Sequence, residues 1–147
     1  MTYRAEDRVE AQVNAQRVSI RVNLSKRKVV AMYKLIPPPM SGIEPGSVLE
    51  GKVHDISSDG ISLEGELPDP SYVLRLGQGD FLIGVNILAD CGMIKALGQV
   101  RWVDVLKPGK YKIGLQFIKL EQQHKATLEK FLIRNQLHKM TGRYSRP

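Results

Sequence analysis

The chain has 147 residues, 42% of them hydrophobic, enough to bury one core and too few for two ordinary domains. Its 22 Lys and Arg against 15 Asp and Glu leave a net charge of +7, which points to an anionic partner: nucleic acid, nucleotide or membrane surface. One cysteine, a charged N-terminus where a signal peptide would be apolar, and no apolar run near the roughly 18 residues of a membrane helix predict a cytoplasmic protein without membrane insertion.

Residues 1 to 16 are polar and charged and read either as a short helix or as a mobile arm. Next comes Arg17-Val18-Ser19-Ile20-Arg21, two guanidinium groups four residues apart. Arginine offers a planar fork of donors that pairs with phosphate oxygens and with the O6 and N7 edge of guanine, and it stacks on purine faces. In a chain this basic, the same spacing also describes a solvated pair flanking a strand. Residues 22 to 36 are rich in Val, Leu, Met and Tyr and predict one strand, stopped by Pro37-Pro38-Pro39. Residues 48 to 56 place Leu49, Gly51 and Val53 on one side and Glu50, Lys52 and His54 on the other, the period of a half-buried strand.

That strand leads into Asp55-Ile56-Ser57-Ser58-Asp59-Gly60, with a turn at Asp59-Gly60 and a new strand from Ile61. A carboxylate accepts from guanine N1–H and the exocyclic amine together, a hydroxyl adds a bond to base or phosphate, and glycine admits a ligand close to the backbone. The same residue types also build hairpins by satisfying backbone groups locally. Three further runs alternate: Phe81, Ile83, Val85 and Ile87; Ile94, Ala96, Gly98, Val100 and Trp102; Tyr111, Ile113, Leu115 and Phe117. Pro108-Gly109 marks a hairpin between the last two. Trp102 shares the inner parity of its run and reads as a core residue.

Six short strands with one hydrophobic face predict a mainly β, antiparallel barrel, because closure removes edges that would pair with neighbours. Residues 121 to 140 lack Gly and Pro and change to a helical period, with Leu128, Phe131 and Leu132 on one face to cap the barrel. A second stripe of Ala126, Ile133, Leu137 and Met140 suits a partner or a second subunit. The predicted organisation is an N-terminal arm over residues 1 to 16, a domain over 17 to 140 and a tail over 141 to 147. His54, His124 and His138 are scattered, Cys91 has no companion thiol, and there is no nucleophile elbow, P-loop or dinucleotide-binding glycine fingerprint. These patterns predict no enzyme, no metal and no cofactor.

In order along the chain, the R-x-x-x-R of Arg17 and Arg21, the D-x-S-x-x-G of Asp55, Ser57 and Gly60, Gln99-Val100-Arg101-Trp102, and Ile113-Gly114-Leu115-Gln116-Phe117 with Leu120 and the following helix resemble the PilZ domain family. The likeness runs from about residue 16 to residue 132. It implies a six-stranded split β-barrel with a C-terminal α-helix that binds cyclic di-GMP and has no catalysis of its own. By that resemblance Arg17 and Arg21 hold phosphates and guanine, Asp55 and Ser57 grip guanine, Gly60 sets the turn, and Trp102 is a secondary candidate for stacking. Many members carry an arginine where this chain has Gln16, which leaves one or two bound ligands open. The expected function is a receptor that relays the level of the second messenger to a protein partner through ordering of its N-terminal arginine segment, with a homodimer through the C-terminal helix as a further option. The rivals are a basic OB-like module that binds RNA by stacking and a PilZ-like adaptor that binds no ligand. Aromatics are only 6% of residues and mostly of inner parity, and the four polar ligands are intact, so no nucleic acid is expected.

Overall fold

Among the described residues, alternating apolar residues build seven strands, β1 (Arg21–Asn23), β2 (Val30–Ile36), β3 (Leu49–Ser57), β4 (Gly60–Gly65), β5 (Leu82–Ala89), β6 (Gly92–Lys107) and β7 (Lys110–Lys119). The described residues also form two helices, α1 (Tyr72–Gly77) and α2 (Gln122–Tyr144). The computed structural model describes residues 21 to 144 apart from Pro45 and Asp80, with side chains described as far as Gln136.

Six strands close into an antiparallel barrel, each bonded to two neighbours in the ring β2, β3, β4, β7, β6, β5 and back to β2. The one strand expected over residues 22 to 36 is instead two. β2 pairs with the first half of β3, from Tyr33↔Leu49 to Val30↔Lys52, and β1 pairs with the second half, Arg21↔Ser57 to Asn23↔Asp55. Asn23 causes the break: its Oδ1 accepts from the backbone N–H of Ser25 at 2.8 Å, turning the chain as Asx residues do. Leu24 N donates to His54 O at 2.7 Å and Val53 N to Val29 O at 2.8 Å, so the interrupted ladder stays attached on both sides of the turn. β1 thereby closes a gap beside β3 and puts Arg21 at the hairpin end of the barrel.

Most of the predicted inner residues form the core: Val53, Phe81, Ile83, Ile87, Ile94 and Ile113 are fully buried, and Tyr33 and Leu63 join them. Each such side chain contributes about 1.5–3 kcal/mol of burial against the entropy of ordering the chain. α1 was not anticipated; it tucks Leu76 into the core and packs Tyr72 against Phe81, ring centroids 5.5 Å apart. On α2, Leu128, Phe131 and Leu132 are buried as the helical period predicts, and the helix runs on to Tyr144. Polar contacts at both of its described ends help to fasten it to the barrel. Lys95 N donates to His124 Nδ1 at 3.2 Å, and the buried Asn135 accepts from Arg27 of the β1–β2 turn while its Nδ2 donates to Phe131 O at 2.8 Å. Ala126 and Ile133 are exposed, whereas the side chains of Leu137 and Met140 lie outside the described residues. No helix among the described residues is long and apolar enough to cross a membrane.

Candidate functional site

Strict alternation from Gly51 and Val53 would aim Asp55 at the core. β3 instead carries a bulge: Val53 pairs with Leu63 and Asp55 with Ser62, leaving His54 as the extra residue. The insertion turns Asp55 to the outer face and returns Ile56 to the core. β6 repeats the device. Val100 pairs with Leu115 and Trp102 with Gly114, so Arg101 is the extra residue there. The core role expected of Trp102 is therefore corrected: Val100 is buried, but past the bulge Trp102 faces outward and is 41% exposed. Its indole lies over Gly114, where an added Cβ would come within 2.1 Å of the ring.

The two bulges produce a continuous row across the outer face, Asp55↔Ser62↔Gly114↔Trp102, spanning β3, β4, β7 and β6. At the usual strand separation of about 4.8 Å such a row is about 14 Å long. It has a carboxylate at one end and an indole at the other, with the buried Ser62 and Gly114 between. Arg21 stands over the carboxylate end, its Nε 3.9 Å from Asp55 Oδ1 and its side chain 69% exposed. At the β6 end Arg101 Nε donates to Gln116 Oε1 at 2.7 Å, which holds a second guanidinium at the rim. Together with the β3–β4 turn these groups line an open pocket of about 250 Å³. Arg17 lies outside the described residues.

The turn is tied together by its own hydrogen bonds. Ser57 is buried, and its Oγ accepts from the N–H groups of Asp59 and Gly60, each at 3.2 Å. This hydroxyl is engaged within the turn, the local role that serine often takes there. The loop consists of Ser58 and Asp59, one residue earlier than the expected Asp59-Gly60 turn, and Gly60 already opens β4. Gly60 is demanded by close approach: a Cβ there would sit 2.2 Å from Leu115 O of β7. Phe117 N donates to Asp59 O at 2.7 Å and pins the loop to the same strand.

Of the predicted residues, Arg21, Asp55, Ser57, Gly60 and Trp102 all border this one pocket. Arg101, Gln116, Ser62 and Gly114 border it too and were not assigned to the site from sequence, because only strand register brings β4, β7 and β6 beside Asp55. Ser62 is 3% exposed, and its Oγ has no hydrogen-bond partner among the described residues. In chemical terms the pocket offers guanidinium forks for an anion, a carboxylate for a pair of donors and an aromatic face for a flat ring. Among the described residues no cluster of His, Cys, Asp and Glu could hold a metal ion.

The family model of the PilZ domain matches residues 4–134. No curated protein matches the chain by sequence. Among solved structures, the PilZ domain of YcgR from Escherichia coli with c-di-GMP is 10% identical, with 86% of this chain and 95% of that one covered and a TM-score of 0.58. The MrkH–c-di-GMP complex of K. pneumonia is 20% identical, with coverage of 83% and 53% and a TM-score of 0.58. Borreliella burgdorferi PlzA in complex with c-di-GMP is 10% identical, with coverage of 95% and 58% and a TM-score of 0.53. The chain spans about half the length of MrkH. At these identities the likeness is one of fold, a closed barrel with a C-terminal helix. The family match, by contrast, extends from ahead of the arginine pair to within α2, and the chain belongs to the PilZ domain family.

Proposed function

We propose that this chain is a cytoplasmic receptor for cyclic di-GMP that acts by binding, without catalysis. The observation that carries the reading is the outer-face row in which two bulges turn Asp55 and Trp102 toward one pocket beside Arg21. In this reading Asp55 accepts guanine N1–H and one exocyclic N–H, Trp102 stacks on a base, and Arg21 with Arg17 takes phosphate and the O6 and N7 edge. Ser57 and Gly60 keep the β3–β4 turn in shape for those contacts. That YcgR, MrkH and PlzA were each solved with c-di-GMP supports the choice of ligand.

The pocket of about 250 Å³ is smaller than the roughly 300–1,000 Å³ typical of sites that enclose a ligand. The segment bearing Arg17 is proposed to supply the missing wall. Arg21 already belongs to a strand, so the ordering step is assigned to the residues ahead of it, within the arm over 1 to 16 and the start of the unit over 17 to 140. Ligand phosphates neutralise the arginines, the segment closes onto the barrel, and the new surface is what a protein partner reads, with the exposed Ile133 of α2 as a standing contact for that partner or for a second copy. Calorimetric titration with cyclic di-GMP tests the binding and gives its stoichiometry; absence of heat and of any protection by the nucleotide overturns the reading. Hydrogen exchange tests the relay: residues 1 to 20 gain protection on binding while the barrel strands do not, and equal protection in both states would mean a preformed site.

A further inference from the structure

A serine on the outer face of a barrel strand is normally wet, and its hydroxyl satisfied by water. Ser62 is not. It sits in the row between Asp55 and the Gly114 that Trp102 covers, it is 3% exposed, and its Oγ finds no partner among the described residues although it borders the pocket. A buried hydroxyl left unpaired opposes folding, so its presence at a site calls for a partner that arrives later. Its neighbour specifies that partner. Residues directly opposite on antiparallel strands hold their Cβ atoms about 4.5–5.5 Å apart, so the Asp55 carboxylate and the Ser62 hydroxyl face the same edge of a flat ring laid in the pocket.

Guanine presents three N–H bonds on that edge, one at N1 and two on the exocyclic amine. Asp55 has oxygens for N1–H and the nearer amine proton, which leaves the second amine proton without an acceptor. We propose that Ser62 is a specificity-determining residue of this site, its Oγ accepting the second N–H of the guanine exocyclic amine. The proposal rests on the receptor reading and adds to it a residue outside the D-x-S-x-x-G motif. It gives Ser62 two opposite effects: the free protein gains nothing from the hydroxyl, whereas the complex depends on it.

The test is Ser62→Ala titrated with cyclic di-GMP and with its inosine analogue, which lacks the exocyclic amine. The dissociation constant for cyclic di-GMP rises about fivefold to tenfold, the span of one net hydrogen bond. The constant for the inosine analogue stays within about twofold of the parent's, since no second amine proton remains to be lost. The melting temperature of the free variant equals or exceeds the parent's. Unchanged affinity for cyclic di-GMP overturns the assignment, and so does an equal loss for both nucleotides, which would mark Ser62 as merely structural. A parent protein that binds neither nucleotide overturns the receptor reading instead, so the two failures are distinguishable.

Discussion

Two polar rows cross the outer face of the same four strands, and they behave in opposite ways. In one, Lys52, Glu64, Lys112 and Asp104 are paired in register across β3, β4, β7 and β6, so that charge alternates along the row. Glu64 there takes His54 Nε2 at 2.6 Å and Lys110 Nζ at 3.7 Å, while Lys52 Nζ donates to Ser25 O at 2.9 Å. The second row lies two residues along β4, β7 and β6 but three along β3, where His54 is inserted. It holds Asp55, Ser62, Gly114 and Trp102, with one buried hydroxyl that has no partner among the described residues and the indole over the backbone of Gly114. In the first row Glu64 and Lys52 each have partners within the protein, as on ordinary sheet surface. In the second the Ser62 hydroxyl has none among the described residues, and the bulges that create this row are the physical difference.

The comparison breaks most sharply if the charge beside the second row is removed. Arg21→Ala is expected to raise the dissociation constant for cyclic di-GMP about 100-fold, the upper span for hydrogen bonds to charged groups. Because the Arg21 side chain is 69% exposed, the melting temperature should stay within about 1–2 °C of the parent's. Lys52→Ala, in the first row and away from the pocket, should leave affinity within about twofold. Calorimetry on both variants checks this, and an equal loss from each would reduce the site to general positive charge. Arg21→Lys should also weaken binding, since the ammonium keeps the charge but loses the fork.

Base identity comes next. Asp55 meets N1–H on guanine but a bare acceptor nitrogen on adenine, so cyclic di-AMP should compete about 10- to 100-fold less well than cyclic di-GMP. Asp55→Asn should weaken guanine binding without eliminating it. Competition titration reads both, and comparable affinity for the adenine analogue would remove Asp55 from its role.

A smaller effect is expected from the other end of the row. Gly114→Ala would push a methyl into the Trp102 ring, so the indole must leave its present seat. The loss should be about fivefold to tenfold if Trp102 contributes one stacked base. Trp102 is the only tryptophan of the chain, so its emission reports the displacement directly in the free variant and should change in the parent when ligand is added. No change of emission on saturation would place the base elsewhere.

Most of the barrel was legible because its inner residues alternate and its turns carry Pro108-Gly109 or Asp, Ser and Gly. Asp55, Ser57 and Gly60 were legible as a motif, but one constraint on it was not: Ser57 accepts bonds within its own turn, as serine often does, whereas Gly60 answers to the Leu115 carbonyl on a strand 55 residues away in sequence. Parity failed at two places, His54 and Arg101, because a bulge shifts the side-chain period without any fixed residue signature. That failure misassigned Trp102 to the core. Ser62, Gly114 and Gln116 could not be found by local reading, since they join the site only through the register of β4 with β7. The break of the first strand was hidden for a different reason: Asn23 turns the chain locally while its neighbours keep pairing with β3.

The least perturbing experiment tests whether the rows are independent. Glu64 has its pKa lowered from the usual 4.5, first by the hydrogen bond with His54 and then by the positive charge of His54, Lys110 and Lys52, with burial working the other way. A carboxyl whose folded pKa lies below its unfolded value contributes stability that is fully present above about pH 4.5 and is lost as pH falls through the lowered folded value, because the unfolded chain takes up the proton first. The Glu64 side chain is 25% exposed and its partners are surface groups, so the contribution is set at the low end for such pairs, about 0.2–0.5 kcal/mol. Glu64→Gln should therefore melt about 1 °C below the parent at pH 6, and the gap should close as both are titrated into the acid range. At pH 7 the same variant should bind cyclic di-GMP within about twofold of the parent, because Glu64 does not border the pocket that holds Asp55. Thermal melts across pH with one titration at neutrality read both quantities. A severalfold loss of affinity in Glu64→Gln would show that charge in the first row reaches Asp55 through His54, the residue that links Glu64 to the bulge, and the site would then extend over both rows.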